Sequence, residues 1–145
     1  YYYVYNYEGT DVAAAQATAN YETYGVLYNW PAVMTEAICP SGWHIPSDGE
    51  FTQLTVFLGG GIVAGGKMKD DVQWDGSNSS GFTGLPGGQN EVTSFDYIGF
   101  FGKWWSTSES NESESWYRRV TTGHEEVERL PHTRHYGYSA RCLQD

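Results

Sequence analysis

The sequence of 145 residues has few basic residues and no long hydrophobic run. It contains 8 Lys and Arg against 18 Asp and Glu, a formal net charge of −10 at pH 7. We expect no nucleic-acid partner, because a nucleic-acid backbone requires a clustered basic face. A membrane-spanning helix needs roughly 18 apolar residues in a row, so no membrane span is expected in this segment. The length favours a single domain over residues 1–145.

Cysteine is equally scarce, since the chain has only Cys39 and Cys142. Neither has another cysteine or a histidine at metal-ligand spacing. We expect one disulfide between them, and hence an oxidising, exported location; two reduced, buried thiols of an intracellular protein are the alternative. The segment begins at YYYVYNYEG without Met or signal peptide, so we interpret it as a mature product or a fragment of a longer exported protein.

Aromatic residues, in contrast, are abundant, with 12 Tyr, 6 Trp and 6 Phe. Tyr and Trp combine a large apolar body with a hydrogen-bonding tip, which suits binding faces as well as cores. Aliphatic runs are few, so the interior must use some of these rings. We therefore expect Trp43, Trp74 and at least one of Trp104 and Trp105 in the core.

The first 30 residues show weak strand and helix patterns. β-favouring residues predict strands at 1–5 and at 24–30, and Pro31 is expected to end the second strand. The Ala-rich segment 11–20 is typical of a short helix. This part of the chain is therefore expected to mix short strands with one helix.

A stronger signal lies between residues 47 and 61. Ser47 is followed three residues later by Glu50, the spacing of a capping box, and a helical run of apolar residues comes next. The pattern predicts an amphipathic helix that the glycines at 59–61 end. Its apolar face is predicted to carry Leu54, Phe57 and Leu58.

The rest of the chain divides into an irregular part and a strand-rich part. From the glycines at 59–61 to about residue 100, the sequence is rich in Gly, Ser, Asn and Asp, which predicts a long irregular loop region. Short strands are expected to follow in KWWSTS, ESWYRRV, EEVERL and GYSARCL, separated by polar turns as in an antiparallel sheet. The fold class expected from these patterns is α+β.

Six blocks of the sequence resemble a known bacterial family. CPSGWHIPSDGEF, AGGKMK, NSSGFTGLPGG, FGKWWSTSE, WYRRV and GYSARCLQD occur in the order and at the spacing of the FISUMP domain, the Fibrobacter succinogenes major paralogous family. The resemblance implies a C-type-lectin-like fold with small antiparallel sheets, one or two helices and a long irregular loop region. It also implies a bond between Cys39 and Cys142, an extracellular or bacterial cell-surface location, and no assigned reaction.

The stretch GHEEVERLPHTRHYG lies where the family pattern is rich in Asn. Domains of this fold are also scaffolds for diversity-generating retroelements, which rewrite adenines and so replace Asn codons. The Thr and His residues here fit such hypervariation, whereas the three Glu residues do not follow from an Asn codon. We predict a sequence-variable ligand-binding face within 109–136. Its predicted contact residues are Tyr117, Arg119, Thr121, Thr122, His124, Glu126, Glu128, Leu130, His132, Arg134, His135 and Tyr136.

The function expected from this resemblance is a non-enzymatic ligand-binding or adhesin domain of an exported bacterial protein. Its partner would be a protein or other macromolecule on a neighbouring cell or host. Two alternatives remain: a glycan-binding module that uses exposed aromatic residues such as Trp105 or Trp116, and a passive structural cap of a surface assembly.

Metal-dependent and enzymatic functions have less support in the sequence. His124 and Glu125 match the first two positions of the zinc-binding motif His-Glu-x-x-His, but position 128 is Glu instead of His, so the motif is absent. Asp70, Asp71 and Asp75 could hold a cation, although solvated turn acids are the preferred interpretation. Formylglycine-generating enzymes share the broad fold but use reactive cysteines and copper, and here both cysteines are assigned to the bridge. We therefore expect no enzyme activity, no metal and no cofactor.

Overall fold

The computed structural model describes residues 1–35 and 38–145. Short helices alternate with short strands in the first part of the chain, and longer strands follow. The elements are β1 (Tyr2–Tyr3), α1 (Val12–Gln16), α2 (Ala19–Tyr24), β2 (Leu27–Tyr28), α3 (Trp30–Val33), β3 (Trp43–His44), α4 (Asp48–Phe57), α5 (Gly61–Met68), β4 (Gly87–Asn90), β5 (Phe95–Ile98), β6 (Phe101–Glu109), β7 (Glu114–Thr121), β8 (Val127–Thr133) and β9 (Leu143–Gln144). The predicted α+β class with small antiparallel sheets is confirmed. The expectation of one or two helices is wrong, since the described residues form five, most of them short because side-chain caps at Thr18, Asn29 and Ser47 each start a separate helix.

The largest sheet is antiparallel and has the strand order β6-β7-β8. The other three sheets, β1-β2, β3-β9 and β4-β5, have two strands each. The strands predicted at KWWSTS, ESWYRRV and EEVERL become β6, β7 and β8. The strand predicted at GYSARCL is wrong for most of its length, because Tyr138 and Ser139 form isolated bridges and regular pairing returns at β9. No helix among the described residues is long and apolar enough to cross a membrane.

The early elements differ from the prediction in their boundaries. The predicted helix over 11–20 is two helices, because the side chain of Thr18 caps the start of α2. The predicted strand over 24–30 shrinks to β2. Pro31 begins a helix instead of ending a strand: Asn29 caps α3 and Pro31 lies in its first turn, where a missing N–H costs no hydrogen bond.

Helix α4 begins at the predicted capping box. The Ser47 hydroxyl accepts from the Glu50 amide, and the Glu50 carboxylate accepts from the Ser47 amide at 2.8 Å. The prediction for Phe57 is wrong, since its side chain is 85% exposed. The stripe of the helix that faces the core runs through Phe51, Leu54 and Leu58 at spacings of three and four, and Phe57 lies outside it.

Helix α5 was not predicted. Gly59 and Gly60 have positive φ and end α4 as expected, but Gly61 then starts a second helix. Three glycines in eight residues give this segment a low helix propensity. Gly65 allows a close approach, because a Cβ there would collide with the main-chain carbonyl of Glu126. The predicted loop region therefore begins with a helix packed against β8.

The core has two clusters, one on each side of the three-stranded sheet. Trp104 belongs to the cluster beneath α4 and α5, and Trp105 to the cluster on the opposite side. Trp74 is partly buried against the first cluster. The core prediction is wrong for Trp43, which is 44% exposed on β3 because this two-residue strand lies at the surface.

The two cysteines form the predicted bond. The sulfur atoms of Cys39 and Cys142 are 2.02 Å apart, and 103 residues separate the two cysteines in sequence. No free cysteine occurs in the described part of the chain. The disulfide joins the segment after α3 to the residue before β9, where β9 pairs with β3.

Candidate binding surface

The β6-β7-β8 sheet divides its side chains between two faces, because successive residues of a strand point to opposite sides. The side that packs against α4 and α5 is called the helix face, and it carries Val120 and Val127. The opposite side is called the open face. Register places Arg119 opposite Glu128 on the open face, and six predicted contact residues share this face. They are Tyr117, Arg119, Thr121, Glu128, Leu130 and His132.

An ion pair lies on the open face between β7 and β8. Arg119 Nε donates to Glu128 Oε2 at 2.6 Å, and Arg119 Nη2 donates to Glu128 Oε1 at 2.7 Å. This hydrogen-bonded partner holds the pKa of the Glu128 carboxyl below its ordinary value. The guanidinium also lies 4.9 Å from the ring centroid of Phe101. Both charged side chains remain about a quarter exposed.

Three aromatic rings extend this surface towards the β4-β5 sheet. Tyr97 and Phe100 are 48% and 49% exposed, and their ring centroids lie 4.8 and 5.1 Å from that of Phe101. Tyr97 has a φ of +65°, which a bulky residue rarely adopts and which costs about 1–3 kcal/mol. Such strain clusters at binding and active sites. The aromatic run FDYIGFFG was the available sequence signal, and it was missed.

The binding surface is defined here as this aromatic cluster, the ion pair beside it and the adjoining β7-β8 turn. Its members are Tyr97, Phe100, Phe101, Arg119, Thr121, His124, Glu126 and Glu128.

The main chain of the β7-β8 turn is held from outside by the irregular region. Lys69 is almost completely buried, and its Nζ donates to the His124 carbonyl at 3.0 Å. The same Nζ lies 2.7 Å from the Asp75 carboxylate, which accepts from the Gly123 amide. The Gly66 amide donates to the carbonyl of the residue after His124 at 3.2 Å. These contacts use backbone atoms of the turn, whereas the side chains of His124 and Glu126 are exposed.

Thr122, a predicted contact residue, has a structural role. Its hydroxyl accepts from Trp74 Nε1 at 2.7 Å and donates to the Gly99 carbonyl at 3.0 Å. Its amide donates to the Phe100 carbonyl. Thr122 therefore links the irregular region and the β5-β6 connection to the end of β7.

Two other predicted contact residues also serve the fold. Tyr117 is buried with its ring against Trp105, so it is not available to a ligand on this surface. Arg134 stacks over Trp30 at 4.4 Å, and its guanidinium donates to Ser115 Oγ at 3.1 Å. It donates further to the Asn111 carbonyl at 2.8 Å, which fixes the β6-β7 hairpin.

The remaining predicted residues lie further along β8 and after it. The rings of His132 and Tyr136 are 4.3 Å apart, and burial together with the charge of Lys103 lowers the pKa of His132. Leu130 packs against the core cluster of the open side. His135 is exposed in the turn after β8. These residues continue the open face beyond the ion pair, with Leu130 shared between the surface and the core.

The two Trp residues expected to bind a glycan do not present free aromatic faces to solvent. The prediction of an exposed Trp105 is wrong, since this residue is completely buried. Trp116 is partly buried, and the guanidinium of Arg129 lies 3.5 Å from its ring centroid. Aromatic rings that are exposed include Trp43, Tyr97 and Phe100.

Two of the three acidic residues considered for a cation, Asp70 and Asp75, are engaged by protein donors. Asp70 is buried, and its carboxylate accepts from the Val72 amide at 2.9 Å. Asp75 is paired with Lys69, whereas Asp71 is exposed. Within residues 1–35 and 38–145, no group of three or more His, Cys, Asp or Glu side chains is placed to hold a metal ion.

Two clefts lie away from the binding surface. One of about 680 Å³ is an open cleft lined by the N-terminal segment and by Asn90, Val92, Thr93 and Phe95. The other, of about 340 Å³, lies between α4 and the C-terminal segment and is lined by Trp43, Phe82 and Arg141. Small-molecule sites are usually concave. The binding surface contributes no residue to either cleft.

Comparison with known proteins identifies one family. The family model described as the Fibrobacter succinogenes major domain matches residues 2–144, which confirms the predicted resemblance. No curated protein and no solved structure matches the chain. The matched range includes the whole binding surface and both cysteines.

Proposed function

The chain belongs to the Fibrobacter succinogenes major domain family, and we propose that it is a non-enzymatic ligand-binding domain of an exported bacterial protein. It acts at the cell surface or outside the cell. The disulfide between Cys39 and Cys142 supports this location, because such bonds persist in oxidising compartments. The ligand contacts the binding surface and the adjoining part of the open face.

One observation carries the proposal: the β7-β8 turn is fixed through its main chain. The contacts that Lys69, Asp75 and Gly66 make with it reach backbone atoms, which every residue type except proline presents. Side chains at His124 and Glu126 can therefore change identity while the backbone stays in place. This arrangement suits a surface whose specificity differs among related chains.

The partner proposed is a protein or another macromolecule on a neighbouring cell or host. Exposed aromatic rings next to a partly exposed Arg–carboxylate pair are the composition of interface hot spots. The position of this surface outside both clefts favours a broad partner over a small molecule.

A C-type-lectin-like arrangement and diversification by a retroelement belong to the same proposal. Small antiparallel sheets flanked by helices support the first, and the main-chain anchoring of the turn supports the second. Sequencing the encoding locus in many independent isolates tests the second. Coding differences should concentrate within 109–136 while the Trp, Gly and Cys framework stays fixed. Uniform variation along the chain would contradict diversification.

Cell binding by purified chain tests the binding function directly. The labelled chain is applied to a panel of bacterial and host cells and read by flow cytometry. A surface variant carrying Phe100→Ala, His124→Ala and Glu128→Ala should lose binding. The matched control carries Val56→Ala, Phe57→Ala and Ile62→Ala, which remove exposed apolar groups elsewhere, and it should bind like the wild type.

The same variants separate the alternatives. Glycan binding predicts that Phe100→Ala alone abolishes binding and that a glycan array gives a signal. Protein binding predicts that His124→Ala and Glu128→Ala weaken binding without any array signal. Equal binding by the surface variant and the wild type would contradict the proposed site, and a panel with no bound cells would favour a passive cap.

A further inference from the structure

Lys103 is a buried amine at the centre of β6. Its side chain is 5% exposed and extends from the open face beneath the β4-β5 sheet. Four aromatic rings surround Nζ, with centroid distances of 5.0 to 5.7 Å. They belong to Tyr97, Phe101, Tyr117 and Tyr138. The ion pairs of the described residues do not include Lys103, although a buried ammonium without a charged partner is costly.

This environment makes the amine easier to deprotonate than an exposed lysine. Burial, followed by the charge of Arg119, lowers the pKa of Lys103 to about 8. At pH 7 about a tenth of the amine is therefore unprotonated and carries a free lone pair, and at pH 9 most of it is. Desolvated lysines of this kind are nucleophiles.

A carboxamide lies directly beside that amine. Lys103 Nζ contacts Oε1 of Gln89, a buried residue of β4. The carbonyl carbon Cδ lies one C=O bond, about 1.2 Å, beyond this oxygen. Gln89 Nε2 donates to Oε1 of Glu91. Amine, carboxamide and carboxylate thus form a continuous chain of hydrogen bonds, with the carboxylate on the amide nitrogen that would leave.

We propose that Lys103 and Gln89 join in an intramolecular isopeptide bond, with Glu91 as the catalytic proton carrier. The Nζ lone pair attacks Cδ of Gln89, and the carbonyl electrons move to Oε1. Glu91 takes one proton from Nζ and gives it to Nε2. The Cδ–Nε2 bond then breaks, Oε1 reforms the carbonyl, and ammonia leaves. One primary amine and one primary amide become one secondary amide and ammonia, without oxidation or reduction.

The surrounding residues support this step in two ways. The aromatic rings exclude water, which would otherwise compete with the amine for Cδ. Strand pairing fixes the reactants, since β4 pairs with β5 and Lys103 lies in the middle of the β6-β7 ladder. The product would bond β4 covalently to β6, directly beneath the aromatic part of the binding surface.

Intact mass and peptide mapping test the proposal. The folded wild-type chain is incubated at pH 7 and pH 9, then reduced, denatured and weighed. Its mass should be lower than the sequence mass by one ammonia, and the loss should be faster at pH 9. Lys103→Arg and Gln89→Ala should both keep their sequence masses, with folding verified by circular dichroism.

Trypsin locates the bond. An unmodified chain is cut after Lys103, which gives the peptides 70–103 and 104–118. A bonded Lys103 resists cleavage, so the expected product is one peptide, 70–118, lighter by one ammonia. Fragment spectra must place the loss between Gln89 and Lys103; a loss located elsewhere, such as a succinimide at an asparagine, overturns the proposal.

The remaining outcomes are also decisive. A folded wild-type chain that keeps its sequence mass at both pH values, and is cut after Lys103, overturns the proposal. Glu91→Gln should fold but lose ammonia much more slowly than the wild type. Equal rates in the two chains would show that Glu91 is not the proton carrier.

Discussion

The two faces of the β6-β7-β8 sheet both carry an arginine paired with a carboxylate, but the pairs connect different parts of the chain. On the helix face, Arg118 and Arg129 both bind Asp48 at the start of α4, 70 and 81 residues away. On the open face, Arg119 binds Glu128, nine residues away on the next strand. The first pairs hold a helix on the sheet, whereas the second connects strands that backbone hydrogen bonds already join.

Burial sharpens the difference. The side chain of Arg118 is 2% exposed, while Arg119 and Glu128 are each 27% exposed. A buried charge that loses its partner is strongly destabilising, but a partly exposed pair contributes little because water and salt screen it. The helix face therefore depends on its ion pairs, whereas the ion pair of the open face can be changed at little cost to stability.

The largest effect is expected from Asp48→Asn. This change removes the carboxylate from Arg118 and leaves a buried guanidinium without charge compensation. We expect the free energy of unfolding to fall by about 3 kcal/mol. Urea denaturation of the purified chain measures it. Glu128→Gln on the open face is the matched control, with an expected loss of at most about 1 kcal/mol. Equal losses would remove the distinction between the faces.

Lowering the pH should remove the stability that the ion pairs of Asp48 with Arg118 and Arg129 contribute in the wild-type chain. Burial raises the pKa of Asp48, but the hydrogen bonds and charges of Arg129 and Arg118 outweigh it and lower this pKa below 3.8. The resulting stability is fully present above the unfolded pKa and is lost as pH falls through the folded pKa.

Urea denaturation between about pH 5 and pH 3 should therefore show a steeper loss for the wild type than for Asp48→Asn. The loss should be smaller than the full effect of the substitution, because the carboxyl is only partly protonated in this range. Parallel slopes in the two chains would mean that the Asp48 carboxylate is not stabilised by its arginines.

Sequence patterns predicted the elements that depend only on residues close together in the chain. The capping box of α4 and the alternating segments of β6 to β8 need only neighbouring residues, and they were predicted. Helix α5 was missed because its glycines read as loop, although they permit contact with residues far along the chain. The aromatic cluster of Tyr97 and Phe100 was missed for a similar reason. It forms at the connection between β5 and β6, and no periodic pattern of apolar residues in the sequence indicates that these rings pack together.

Gly65→Ala tests how closely α5 must approach the β7-β8 turn. The added methyl group would collide with the main-chain carbonyl of Glu126 and force helix and turn apart. The better helix propensity of Ala offsets part of this cost, so we expect a net loss of about 1–2 kcal/mol in thermal or urea unfolding. Gly61→Ala is the control, because its methyl group would meet its nearest neighbour at an ordinary 3.5 Å. A neutral Gly65→Ala would show that the turn does not need this contact.

The smallest effect is expected at the turn itself. His124→Ala combined with Glu126→Ala removes two exposed side chains. The backbone at these positions is held by the Lys69 hydrogen bond to the His124 carbonyl and by the packing of Gly65 against the Glu126 carbonyl. We expect the free energy of unfolding to change by no more than about 0.5 kcal/mol. Differential scanning calorimetry of this double variant and of Asp48→Asn, under the same conditions, measures both losses of stability on one scale. A loss near that of Asp48→Asn would mean that the turn depends on its side chains, and a variable binding surface could not be built there. A negligible change would show that main-chain contacts alone suffice to position this part of the surface.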